Sequence, residues 1–511
     1  MFLVLSGGAG RAGAPFSGDC GVKLWQASSA ATLGQDLQRA MPDGMSESDF
    51  NPPLTRACGR SLRAVFPWSF ALVTGLSGLG DPLGMRFSVL VMTALSVPLL
   101  AAVTGGGWRG LGAFVLAGLP PYQLVFWEHG PAVTLFLAWL LMFTKALESP
   151  RGSIPWWILP LVPAISWRVE LAIPALVTAA VLLAQGSDRP GFRIVLLQSA
   201  SAAAATAILF VVRGERLLPD AMRATMTAEG RWDRLSIMAS WFAEPSAGLV
   251  FTGFVLWLLA PIGWLTPSTV CGGVCRLRGP VSLVGAAVLV YYFSRGSLGL
   301  MSLFMLTPGL ALAWASEAAP VPGRPGALVR AGLLSGLAIF LTTPTDGMFQ
   351  YGPRFLLGPL VLTAAGLATA LAEDPRMRAR TVFAAAVLLS LWGGARGVLY
   401  QEWIRKNHQE MADAVGQLPE GVVVATDENW VPLAAWEVSL ERPLLFAGEG
   451  PEGIAERLPE NCGLIWLSSR TIIPGGVSSA GYRGLKWSGA LAEGLPPPGR
   501  AREMRGFPLS F

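Results

Sequence analysis

The chain has 511 residues, of which 52% are hydrophobic and 14% charged, against about 25% charged in an ordinary soluble domain. With a mean hydropathy of +0.50, this excludes an ordinary soluble fold and places the chain among polytopic membrane proteins. The net charge of +5 comes from Arg far more than Lys and is read as loop charge that sets topology, which excludes a nucleic-acid surface.

At the N-terminus, "MFLVLSGG" supplies about 10 Å of helix, too short to cross a bilayer, and it lacks the cationic start and cleavage site of a signal peptide. It reads as the tail of a first helix whose beginning precedes the assigned start. Residues 8–83 then form a first loop. Its polar opening, "PFSGDCGVKLWQASSAATLG", carries Asp19, Lys23 and Trp25. Cys20 and Cys58 share this loop, as a disulfide or as two free thiols. The apolar stretch 61–80, broken by Pro67 and glycines, reads as a helix lying in the membrane interface.

Apolar runs predict twelve spans, near 84–104, 110–127, 131–147, 154–168, 170–185, 194–212, 246–265, 280–294, 298–316, 331–345, 355–372 and 381–398. A missing first helix would make thirteen. Alternate loops carry Arg109, Lys145 and Arg151, Arg189 and Arg193, Arg276 and Arg278, Arg324 and Arg330, then Arg376, Arg378 and Arg380. The excess of positive charge makes that side cytoplasmic. The other side receives residues 8–83, the Glu128-His129 turn, Arg168 to Glu170, the loop 213–245, the Tyr351 to Arg354 turn and everything after 399. The loop 213–245 holds five arginines on the supposed outside, offset by Glu215, Asp220, Glu229, Asp233 and Glu244. Cys271 and Cys275 are four apart, which is not CxxC, and no His or second Cys pair lies nearby to complete a zinc site.

Beyond 399 the composition turns polar. A striped helix is followed by strand-like "VVVATDE", "PLLFA" and "CGLIWLSS" with helical stretches between them, which predicts a small α/β domain outside the membrane. The expected organisation is 1–83 as truncated helix plus loop, 84–398 as the transmembrane helical domain and 399–511 as the α/β domain.

Charged groups at the membrane that do not serve as flanking anchors are costly, about 2.5–3.5 kcal/mol on insertion scales, and are therefore candidates for function. Four groups stand out, all on one predicted face. Asp19, with Lys23, is either a surface acid or a general base or metal ligand acting on an acceptor hydroxyl. Glu128 and His129 fill the short turn in "VFWEHGPAVTLF". Such a pair can cap the next helix, hydrogen-bond substrate, bind a divalent metal with Asp19, or hold a phosphate through protonated His129. In "ISWRVELAIPAL", Arg168 and Glu170 form either a structural pair or a phosphate grip. In "QYGPRFLLGPL", the Tyr351-Gly352-Pro353 turn delivers Arg354 to a span start, as an interfacial anchor or a ligand for phosphate. His408 lies on a solvated helix and is assigned no role.

In this order, "SGDCGVKLWQA", "NPPL" followed by "FPWSFALVTGLSGLGDPLGMRFSVL", "WEHGPAVTLFLAWLL", "WRVELAIP" and "YGPRFLLGPL" resemble the integral-membrane glycosyltransferases of the GT-C class, which includes protein O-mannosyltransferases and aminoarabinose transferases. The resemblance runs over residues 19–398. It departs from the family pattern in the truncated first helix and in having Glu128 beside a histidine at the second acidic site. It implies an all-α polytopic fold with an extracytoplasmic C-terminal domain, in a bacterial cytoplasmic membrane. It also implies a polyprenyl-phosphate sugar donor in the lipid, an acceptor of unspecified class, and no nucleic acid. Asp19 would then be catalytic, Arg168 or Arg354 would neutralise the leaving phosphate, and Lys23, Glu128, His129, Glu170 and Tyr351 would hold substrate, with a divalent metal on Asp19, Glu128 and His129 left open. No G-x-G-x-x-G turn or P-loop points to a nucleotide cofactor. A transporter or flippase of a lipid-linked or small polar substrate is the alternative. It would favour midplane ionisable residues and repeated halves, neither of which the pattern offers.

Overall fold

The computed structural model describes residues 24, 27, 68–78, 82–123, 128–148, 158–184, 249, 252–253, 255–259, 275–294, 303–316, 323–342, 354–416, 422–426, 444–446, 463–469 and 485–488. Asp19, Lys23, Tyr351, the Cys20 and Cys58 pair, the expected span 194–212 and the loop 213–245 lie outside the described residues.

The described part of the chain is mostly helical: α1 (Trp68–Ser77), α2 (Pro82–Ala94), α3 (Ser96–Thr104), α4 (Gly107–Leu116), α5 (His129–Glu148), α6 (Leu161–Trp167), α7 (Ala172–Ala184), α8 (Cys275–Ser294), α9 (Leu303–Leu306), α10 (Pro308–Ser316), α11 (Gly323–Thr342), α12 (Leu357–Glu373) and α13 (Met377–Gly416). Four stretches among the described residues are long and apolar enough to cross a membrane: Leu83–Thr104, His129–Leu147, Arg354–Glu373 and Met377–Glu402. By length and composition the chain is a membrane-embedded helical protein.

Three elements differ from the pattern read in the sequence. The run 110–127 is not one helix: α4 stops at Leu116, Gly118 turns left-handed at φ 69°, and Pro120 opens a 3-10 turn through Gln123. Only glycine takes that φ without a steric penalty, and proline has no N–H with which to resume the helix. The run 298–316 divides at Thr307, ahead of Pro308. The Gly309 N–H at this break is satisfied by Ser390 Oγ at 3.1 Å, from α13. Conversely, the span expected to end at 398 and the striped helix expected after it are one helix, unbroken to Gly416. No glycine or proline occurs between Val398 and Val415 to stop it.

The chain forms two compact units, one around Val89–Leu124 and Glu128–Tyr400, the other including Ser6–Ser88 and Gln401–Phe511. In the first, α12 is the central helix, packed against α11, α4, α3, α5 and α10. Its residues are buried almost along its whole length. Without a hydrophobic drive between helices in lipid, close approach depends on small side chains. At Gly332 of α11, an added Cβ would lie 2.2 Å from Thr363 Oγ1 and 2.6 Å from the Pro359 carbonyl oxygen of α12. Along α5, Phe136, Trp139 and Phe143 make a fully buried aromatic stripe, with ring centroids 5.3 and 5.2 Å apart.

The ends of these helices are chemically distinct. At the last residue of α12, Glu373 pairs with Arg109 of α4 at 2.9 Å. Near the end of α5, Thr144 Oγ1 accepts from Arg324 Nη2 of α11, also at 2.9 Å. Just past α12, the Asp374 carboxylate accepts from the Arg376 guanidinium and from its backbone N–H. Cations from three of the basic loops thus gather at the ends of α5 and α12 that are opposite to His129 and Arg354.

In the second unit, the strands β1 (Val422–Thr426), β2 (Leu444–Phe446), β3 (Gly463–Ser469) and β4 (Leu485–Ser488) form a sheet in the order β2-β1-β3-β4. β1 is parallel to β2 and β3, with Val424 opposite Leu444 and Ile465, and β4 is antiparallel to β3. Parallel neighbours need crossover connections. The helices expected in those connections lie outside the described residues.

Gly332→Val is expected to force α11 from α12 and cost about 1–3 kcal/mol, read as a lower melting temperature in detergent. A second expectation concerns pH. The Arg376 side chain, followed by its backbone N–H, holds the Asp374 carboxyl down to about 2. A depressed carboxyl stabilises the fold above its unfolded value of about 3.9, and the contribution is lost as pH falls through the folded value. The melting temperature of Asp374→Asn is therefore expected to lie below wild type at neutral pH, with the gap closing between about pH 4 and about pH 2.

Candidate active site

Five of the charged or ionisable residues singled out in the sequence meet at the ends of three elements in the first unit. Glu128 immediately precedes α5, and its carbonyl accepts the Ala132 N–H at 2.8 Å, so it sits on the opening turn. His129 is the first residue of α5. The turn can sit deep because Gly130 carries no side chain: a Cβ there would lie 2.3 Å from Thr93 Oγ1 of α2. Glu128 and His129 are both buried.

Arg168 follows the last residue of α6 and takes an extended backbone, φ −142° and ψ 96°. It separates α6 from the 3-10 turn Val169–Leu171 that leads into α7. Pro174 falls in the first turn of α7, where its missing N–H costs nothing. This break turns Arg168 and Glu170 toward one another. Arg168 Nε donates to Glu170 Oε1 at 2.5 Å, and Nη2 lies at the same distance from that oxygen. Arg168 Nη1 reaches across to Glu128 Oε1 at 3.0 Å. All three guanidinium nitrogens therefore face carboxylate oxygen, and the acids lie 40 residues apart on one side and two on the other.

Arg354 opens the 3-10 turn Arg354–Leu356, which runs directly into α12. Its guanidinium carbon lies 4.9 Å from the ring centroid of Phe355, and that of Arg168 lies 5.1 Å from the same ring. The His129 ring meets Phe355 edge-on at 6.5 Å, and Tyr122, fully buried, also stands 6.5 Å from His129. The charges of the two acids and two arginines cancel, which suits a cluster sunk into a helical bundle.

Glu128, His129, Arg168, Glu170 and Arg354 are thus brought together; Asp19, Lys23 and Tyr351 lie outside the described residues. Tyr122 and Phe355 were not singled out in the sequence. Each sits close to a charged candidate, but aromatic residues in an apolar run carry no signal of their own. Among the described residues no group of three or more His, Cys, Asp or Glu side chains is placed to hold a metal. Glu128 and His129 supply two donors, and Glu128 Oε1, 4.0 Å from His129 Nδ1, is already bonded to Arg168.

No family model matches the chain. No curated protein matches it either. Among solved structures it is similar to ArnT from Cupriavidus metallidurans in the apo state, at 12% identity over 91% of both chains with a TM-score of 0.38. It is also similar to that protein bound to undecaprenyl phosphate, at 11% identity over 92% of this chain and 91% of the other, again with a TM-score of 0.38. Superposition at this level decides neither fold nor function.

Removing one partner from a buried ion pair strands the other charge and costs about 3–5 kcal/mol. Arg168→Ala leaves both Glu128 and Glu170 without their cation and is expected to fall in that range, measured by thermal unfolding in detergent. Arg168→Lys keeps the charge but cannot reach two carboxylates with a planar fork, so its loss is expected to be intermediate.

Proposed function

We propose that this chain is a GT-C-type membrane glycosyltransferase that moves a sugar from a polyprenyl-phosphate donor to an acceptor at the extracytoplasmic face. The observation that carries this reading is the meeting of Glu128, His129, Arg168, Glu170 and Arg354 at one set of helix ends, while Arg109, Arg324 and Arg376 gather at the other. A polyprenyl-phosphate sugar has the matching shape: an apolar tail for lipid, and a phosphate and sugar at the membrane surface. By the positive-inside rule, the basic ends face the cytoplasm and the cluster faces away from it.

In this reading the work is divided between two arginines that the sequence left equal. Arg168 is engaged by two carboxylates, and it orders Glu128 and Glu170. Arg354, at the start of the central helix, is the cation that neutralises the leaving phosphate as the glycosidic bond breaks. Glu128 and His129 position the acceptor or sugar hydroxyls. Asp19 takes the proton from the acceptor hydroxyl as it attacks, with inversion at the sugar carbon. Lys23 and Tyr351 complete the substrate contacts. In this reading residues 1–83 supply the acidic loop, 84–398 the helical domain and 399–511 an extracytoplasmic α/β domain, in a bacterial cytoplasmic membrane.

The test is transfer of radiolabelled sugar from a panel of polyprenyl-phosphate donors by the purified chain in lipid. Arg354→Ala is expected to lower kcat/KM by about 10²–10³, the scale of losing one electrostatic stabiliser, and Asp19→Asn to abolish transfer with folding intact. Absence of transfer by the wild type from every donor, with the protein folded, would overturn the proposal.

A further inference from the structure

We propose that the surface where α4 meets the start of α13 binds the headgroup of an anionic glycerophospholipid, with Arg380 holding the phosphate and Trp108 beside it. The inference is independent of the glycosyltransferase reading and concerns the end of the bundle opposite to the candidate active site.

Depth in the membrane comes first. Two apolar stretches long enough to cross it meet here, one ending at Glu373 and the next starting at Met377. The turn between them therefore lies at the membrane boundary, and Arg380 falls in the first turn of the second stretch. In α4 and residues 373–381, Arg109, Arg376, Arg378 and Arg380 stand against Glu373 and Asp374, four cations against two acids. Glu373 is taken up by Arg109 at 2.9 Å and Asp374 by Arg376. Arg378 and Arg380 are exposed and have no acid partner among the described residues. A guanidinium at the edge of the hydrocarbon is costly without a counter-charge, and one that faces outward must find it in the bilayer. Lipid phosphate lies at that depth and suits the planar fork.

Arg380 and Arg378 differ in their surroundings. Arg380 is one turn from Phe383 on the same face of α13, whereas Arg378 lies on the other side of the helix. Phe383 is fully buried, and the Trp108 indole meets it edge-on at 4.7 Å. Gly112 of α4 permits this approach, since a Cβ there would lie 2.5 Å from Phe383 Cζ. Trp108 itself is 57% exposed, as suits an indole at headgroup level. One and two turns further along α13 from Arg380, Ala384 and Leu388 are both exposed, so an apolar track runs from the guanidinium toward the middle of the span. The phosphate, glycerol and acyl chain of a phospholipid match the cation, the indole and the track in that order. A headgroup of net negative charge is preferred over a zwitterion, because two cations are left over once the acids are paired.

The experiment is competition between dioleoylphosphatidylglycerol and dioleoylphosphatidylcholine for the full chain, read as retained lipid by native mass spectrometry, with the melting temperature measured in detergent. The wild type is expected to retain phosphatidylglycerol preferentially. Arg380→Gln should weaken that retention about fivefold, the scale of one cation at an anionic surface, with the melting temperature close to wild type. Trp108→Leu should act in the same direction, and Arg380→Lys should keep most of the preference. Arg378→Gln removes the same charge from the other side of α13 and should stay within about twofold of wild type, since a more distant charge is screened. Equal retention of the two lipids by the wild type would overturn the inference. So would equal losses in Arg380→Gln and Arg378→Gln, which describe a diffuse basic surface. Displacement of the bound lipid by millimolar inorganic phosphate would overturn it too, by making the site one for a free anion.

Discussion

The arrangement depends on one constraint: a guanidinium buried in a helical bundle must find its counter-charges inside the bundle. Arg168 meets that constraint with three nitrogens and two acids, Glu128 at the opening of α5 and Glu170 in the turn before α7. The attraction ties together backbone segments that hydrophobic packing alone would leave free to slide, because lipid tails compete equally for apolar side chains. Desolvation offsets much of the gain, so the pair contributes more to the placement of these helix ends than to net stability. What it specifies is that α5, α6 and α7 present their charged residues at the same level.

The central helix supplies the second reference point. α12 begins one turn after Arg354 and ends at Glu373, paired with Arg109 of α4. Between these ends it is nearly all buried, and it touches α11 through glycine, threonine and proline, where no side chain can rotate to accommodate a shift. A cation mounted at the end of such a rod moves little relative to the bundle. Sites built on rigid elements hold their geometry better than sites on loops. The arginine assigned to the phosphate in the proposed reaction is thus carried by a helix buried along nearly its whole length.

How much of this was legible in the sequence follows from what burial costs. Glu128, His129, Arg168, Glu170 and Arg354 could be picked out because charge next to a membrane span demands a reason, and they do converge. Their pairing could not be read: nothing in spacing tells that Arg168 serves Glu128, 40 residues away, before it can serve a ligand. Tyr122 and Phe355 were invisible for the opposite reason, since an aromatic residue in an apolar run is ordinary lining. Span edges failed where hydropathy and backbone chemistry disagree. Residues 110–127 are uniformly apolar, yet Gly118 and Pro120 end α4 early. At 399 the composition turns polar, yet without glycine or proline the span and the helix expected after it run on as one, α13, to Gly416. Hydropathy reports the surrounding solvent, whereas helix continuity is decided by the main chain.

The choice of arginine at both positions follows from the same geometry. At 168 the side chain must address two carboxylates from different directions, which the three nitrogens of a planar fork do and a single ammonium does not. At 354 the side chain lies against a phenyl ring, and a guanidinium can stack through its face while its N–H groups point outward in its plane. One ring lies beside both guanidinium groups, and the acids that hold Arg168 weaken its repulsion of Arg354. Removing those acids would leave Arg168 without its counter-charges beside the same ring. In the proposed reaction, Glu128 and Glu170 therefore act on the phosphate site indirectly, by offsetting the charge of Arg168.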